Sequence, residues 1–148
     1  MKRIIPSQQK ATFNNSLEPL LAKTKEWTSE ITFTKVEQLF LNEILSEHII
    51  SLCKTNNFQQ AKLLLNGIAH EKKLGDQLLQ SIKAHKVNLA LLIENIYLKR
   101  GVNLKKDHQN LKLEVNNYID NFKYLKEQIF ELVLYIMKKE KEKKLLVN

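Results

Sequence analysis

The sequence predicts an all-α fold, an elongated antiparallel three-helix bundle of up-down-up order, on three observations. Glycine (3) and proline (2) are so scarce in 148 residues that few turns are available, which implies long helices. Apolar residues recur at alternating three- and four-residue steps over long stretches without losing phase. The pattern is interrupted by only two short polar connections, at Thr55-Asn56-Asn57 and at Gly101. Connections that short force neighbouring helices to run antiparallel. A hydrophobic share of 43% with 27% charged residues is a globular balance, and the length suits a single domain spanning residues 1–148.

From the N-terminus, residues 1–15 mix Lys, Gln, Ser and Asn without a sustained period and read as a loose N-terminal arm. Helix one then starts between Ser16 and Trp27. Either Ser16 caps it with Pro19 in the first turn, or the stretch to Thr24 forms a short helix of its own. Beyond Trp27, the seam is Phe33, Val36, Phe40 and Ile44, flanked by Leu41, Leu45 and Leu52, with Lys35, Gln38, Asn42 and Ser46 opposite; the helix is expected to end near Lys54.

Asn57 followed by Gln60 resembles a capping box and opens helix two. Its seam is Leu64, Ile68, Glu71, Gly75, Leu78, Ile82, His85, Leu89, Leu92 and Ile96, and the helix is expected to reach about Lys99. Asn66-Gly67 is a turn dipeptide that could split the helix, but the period carries across it. Lys99 and Arg100 in a last turn before Gly101 suit a helix C-terminus. Asn103 or Asp107 caps helix three, with the seam His108, Leu111, Val115, Tyr118, Phe122, Leu125, Ile129, Val133 and Ile136. Residues 138–148 are a basic C-terminal tail.

Candidate chemistry is sparse. A di-iron bundle site needs carboxylates three residues from histidines. The residues three and four positions from His48, His70, His85 and His108 are Ile, Leu, Ser, Asn, Gly and Lys, so any metal site would have to be assembled across helices, and none is expected. Glycine-flanked serine elbows and phosphate-cradling loops are also missing, so no catalytic and no cofactor-binding residue is assigned and the chain is read as a non-enzyme. His85 is expected to be a packed core histidine sharing a layer with Trp27 and Phe122. Gly75 is expected opposite Val36, between Phe33 and Phe40, making room for an aromatic ring. Glu71 and Lys72 are expected to flank the seam with their charges in water, and the single Cys53 to be a small buried apolar side chain.

Charge is uneven within a net +8. Helix one carries Glu30, Glu37, Glu43 and Glu47 against Lys35, whereas Lys99, Arg100, Lys105 and Lys106 crowd the second turn and Lys138, Lys139, Lys141, Lys143 and Lys144 the C-terminus. Those nine residues are candidate contacts for a polyanion. Only two of the 24 basic residues are Arg, so binding to nucleic acid would be nonspecific. No export signal follows Met1-Lys2-Arg3, and the apolar run from Ile129 to Met137 is about half the ~20 residues of a membrane span, so a cytoplasmic setting is expected.

The order Trp27, Phe33, Glu37, Phe40, Leu41, with Phe122, Lys126, Phe130 and Val133 late in the last helix, resembles bacterial coiled-coil bundle proteins with no assigned activity. The resemblance spans roughly Trp27 to Lys144 and implies the three-helix architecture and a cytoplasmic setting. Together these readings lead to a helical interaction or scaffold protein that engages a protein partner or itself through an apolar helix face. The alternative is nonspecific binding of nucleic acid or another polyanion through the lysine-rich ends.

Overall fold

A computed structural model describes residues 7–54, 56–94 and 103–147, with the side chains of 7–16 and 147 left aside. The chain is an all-α helical bundle, with no strand among the described residues. Its helices are α1 (Ser7–Glu47), the short α2 (Ile49–Cys53), α3 (Phe58–Ile93) and α4 (Leu104–Val147).

Several element bounds differ from the sequence expectation. Helix replaces the loose arm from Ser7 onward, and α1 is continuous through Pro19, so Ser16–Thr24 is not a separate helix. A turn at His48 separates α1 from α2. Residues 138–147 of the C-terminal tail are the last part of α4, and the side chains from 138 to 146 are exposed except for the half-buried Glu140. α3 runs unbroken through Asn66-Gly67, and the turn centred on Gly101 lies outside the described residues. Asn103 caps α4: its Oδ1 accepts from the Lys106 backbone N–H at 3.2 Å and its carbonyl accepts from Asp107 N–H at 2.9 Å. At the start of α3 the Asn57 carbonyl takes the Ala61 N–H at 2.9 Å.

The chain is organised as two compact units, to which α1, α3 and α4 each contribute. The first combines α1 up to Thr32 with the described residues of Asp76–Asn117. Leu17, Leu89 and Leu104 pack together there, joined by Leu20, Leu21, Leu92 and Ile93. The second combines the described residues of Phe33–Gly75 and Tyr118–Asn148 around Leu41, Leu45, Leu52, Leu64, Ile68, Phe122, Ile129 and Ile136.

Helix direction within the second unit follows from its paired residues. Glu37 meets Lys126 and His48 meets Glu140, so the numbers rise together and α1 is parallel to α4. Gly67 lies against Leu125 and Gly75 against Tyr118, so α3 runs antiparallel to α4. This is the up-down-up order.

The α3 and α4 seams are buried as expected, from Leu64 to Leu89 and from His108 to Ile136, with Leu125 only partly buried. The α1 seam is not. Thr24, Trp27, Ile31, Thr34, Gln38, Leu41 and Leu45 face the core, while Phe33, Val36 and Phe40 are 65%, 61% and 58% exposed. The stripe is displaced by one residue, about 100° around the helix. Polar residues can occupy it because some carry their own partners: Thr24 Oγ1 donates to the Leu21 carbonyl at 2.6 Å, and Gln38 is bonded across helices. Cys53 is likewise exposed; its neighbour Leu52 is the buried residue of α2.

Candidate interaction surface

Each unit holds a buried polar centre. In the first, His85 on α3 and His108 on α4 meet with Nε2 and Nδ1 3.0 Å apart. The Trp27 ring of α1 lies 4.7 Å from His108, centroid to centroid, tilted by 33°. A nitrogen–nitrogen hydrogen bond requires one ring to donate and the other to accept, so the neutral pair shares one proton along this line. Burial pushes both histidines below their ordinary value; for His108 the neighbouring His85 acts in the same direction, and for His85 Asp107 opposes weakly. Nδ1 of His85 is buried without a partner.

His108 therefore takes the place expected for Phe122, which belongs to the apolar core of the second unit. The register between α3 and α4 brings His85 opposite His108, and the expected helix end near Lys99 lies outside the described residues. Both histidines were visible as seam positions, but their pairing depended on that register. Among the described residues no group of three or more His, Cys, Asp or Glu could hold a metal ion.

In the second unit, Gln38 Nε2 donates to the Tyr118 hydroxyl at 2.9 Å, in a buried bond between α1 and α4. Gly75 faces the same hydroxyl, and a Cβ there would stand 2.6 Å from it. The ring that Gly75 accommodates is thus Tyr118, not Phe33 or Phe40. One turn earlier, Glu71 is buried, with Oε2 unpaired, and burial raises its carboxyl above the ordinary value. Its charge does not reach water as Lys72, which is exposed, does.

Most of the exposed large apolar side chains lie on this unit. The Glu37–Lys126 pair, 2.8 Å, closes one end of the α1/α4 groove. The other end is closed by Glu140, which accepts from Ser51 Oγ and, at 3.3 Å, from His48 Nδ1. These bonds, Ser51 first, hold the Glu140 carboxyl below its ordinary value. Between the two closures, Phe40 on α1 and Phe130, Leu134 and Met137 on α4 are exposed, with Ile44 half-buried. Helical spacing places Phe33, Phe40 and Ile44 on the α4 side of α1, and Phe130, Leu134 and Met137 on the α1 side of α4.

Seven of the nine candidate polyanion contacts lie among the described residues. Lys99 and Arg100 lie outside the described residues. Lys105 and Lys106 are exposed in the first turn of α4, in the first unit. Lys138, Lys139, Lys141, Lys143 and Lys144 are exposed in the second, but at about 100° per residue they fall on several sides of α4. Glu140 and Glu142 stand among them, and Lys139 pairs with Glu142 at 3.7 Å.

No described helix is long and apolar enough to cross a membrane. No protein-family model, curated protein or solved structure matches this chain.

Proposed function

We propose that this chain is a non-enzymatic helical interaction protein of the cytoplasm, engaging a protein partner along the outer α1/α4 groove of its second unit. The observation that carries the reading is Phe40 on α1 beside Phe130, Leu134 and Met137 on α4, all exposed within one unit on facing sides of the two helices. Single exposed apolar side chains are ordinary, but a contiguous patch rimmed by charge is characteristic of protein contact surfaces.

Replacing Phe40 and Leu134 by Ser tests this. Protein that co-purifies with the chain in its native host is expected to be lost, with helix content by circular dichroism unchanged. Undiminished association of the double variant overturns the reading.

Polyanion binding is the second reading, supported by the net charge of +8 and the exposed lysines of α4. The spread of those lysines around the helix favours weak contacts, which would appear as retention on duplex nucleic acid at about 50 mM salt.

A further inference from the structure

We propose that the paired histidines make the first unit an acid-opened device. Uptake of two protons by His85 and His108 parts α4 from α3 in this unit, while the second unit stays closed.

The geometry of the pair carries the inference. Nε2 of His85 and Nδ1 of His108 stand 3.0 Å apart, a contact with room for one proton, which one nitrogen donates and the other accepts. With both rings neutral the contact is satisfied. With one extra proton it survives, because an imidazolium still faces a neutral ring. With two, both nitrogens are donors, no lone pair is left between them, and the rings must separate. Both side chains are buried, 4% and 8% exposed, and His108 lies against the buried Trp27 of α1. Water therefore reaches the charged pair only if the helices move apart.

Charges around the pair do not compensate for that strain. α3 offers none within a turn, since the residues three and four positions from His85 are Ser81, Ile82, Asn88 and Leu89. α4 has Lys105 and Lys112 on either side of His108, and Asp107, which favours charge on His85 against the larger effect of burial. α1 brings Lys23, bound to Glu26 at 2.9 Å, and the exposed Glu30. Burial first, then His85, Lys112 and Lys23, resist a proton on His108 while the unit is closed. On His85 the far nitrogen, Nδ1, is buried without a partner, so no carboxylate waits there for an imidazolium.

Acid acts differently on the second unit. Its buried Glu71 loses charge on protonation, and a protonated His48 faces the Glu140 carboxylate. Opening is thus confined to the unit that holds the pair, where it bares Trp27, Leu89 and Leu104, apolar surface that is shut away at neutral pH.

Hydrogen exchange of the full chain, corrected for the intrinsic pH dependence of amide exchange, tests this by comparing α4 residues 108–117 with residues 129–136. Two rings titrating at the ordinary 6.5 in the open form shift the opening equilibrium by more than tenfold, up to about a hundredfold, per pH unit between 5.5 and 4.5. Protection should fall by that factor in the first segment and hold within about threefold in the second. Trp27, the single tryptophan, should report the same opening as a red shift of its emission. His85→Gln and His108→Gln each leave one titrating ring, so the dependence should drop to at most about tenfold per pH unit. Protection that is unchanged in the first segment, or lost equally in both, overturns the local opening, and this comparison needs no variant. A Gln variant that responds as steeply as the full chain overturns the pair as its trigger.

Discussion

Gly75 illustrates how a residue's role depends on what stands opposite it. A Cβ at this position would be 2.6 Å from the Tyr118 hydroxyl, and the stiff phenol cannot retreat without giving up the Gln38 bond. Gly75→Ala is therefore expected to cost about 1 to 3 kcal/mol through strain and the lost bond, more than the ~1 kcal/mol a helix gains on replacing Gly. Tyr118→Phe in the Gly75→Ala background should recover part of the loss, because it removes the clashing oxygen. Thermal melts of the two variants beside the full chain check this, and a raised midpoint for Gly75→Ala refutes it. Gly67 behaves differently: its added Cβ would meet the Leu125 Cδ1 at 3.1 Å, at the end of a partly buried, flexible side chain. Gly67→Ala is expected to be neutral or stabilising by up to about 1 kcal/mol. The sequence located Gly75 on a buried seam and suggested an aromatic neighbour. It could not identify Tyr118, because that depends on a cross-helix register that no local period encodes.

Among the elements, α3 and α4 were legible and α1 was not. In α3 and α4 the apolar residues occupy one stripe, so the spacing from Leu64 to Leu89 and from His108 to Ile136 identifies the buried face. α1 has apolar residues on two faces, and the one with Phe33, Val36 and Phe40 is exposed. The buried face includes Thr24, Thr34 and Gln38, which read as surface unless their hydrogen bonds are known. The same ambiguity concealed the groove, since its α1 side chains were assigned to the core. The expected consequence is a contrast between neighbouring substitutions. Val36→Ser should shift stability by less than about 0.5 kcal/mol in dilute solution, whereas Ile31→Ala, fully buried, should cost about 2 to 5 kcal/mol. Urea unfolding of the two variants distinguishes the observed phase of α1 from the one its hydrophobicity suggests.

At the scale of the whole molecule, three buried titratable side chains contribute to how stability responds to pH. Burial holds His85 and His108 below their ordinary 6.5, so the unfolded chain takes up protons there that the folded chain refuses. Their contribution is present above pH 6.5 and is lost as pH falls from 6.5 through the lower folded values. Glu71 works in the opposite direction. Burial raises its carboxyl above the ordinary 4.5, so its contribution is fully present below pH 4.5 and is lost as pH rises through the folded value. At pH 7.5 the histidines are neutral in both states, and the buried carboxylate is the unfavourable group, with Oε2 unpaired. Glu71→Gln is accordingly expected to stabilise the chain at pH 7.5 by about 1 kcal/mol, roughly 2 to 4 °C in melting midpoint, and to have little effect at pH 4.5. His85→Leu/His108→Leu should flatten the decline below pH 6.5 while leaving the Glu71 response intact, because Glu71 belongs to the other unit. Melting midpoints from pH 4.5 to 8 for the full chain and both variants separate the two responses. A decline below pH 6.5 that persists without the histidines would assign it to other groups.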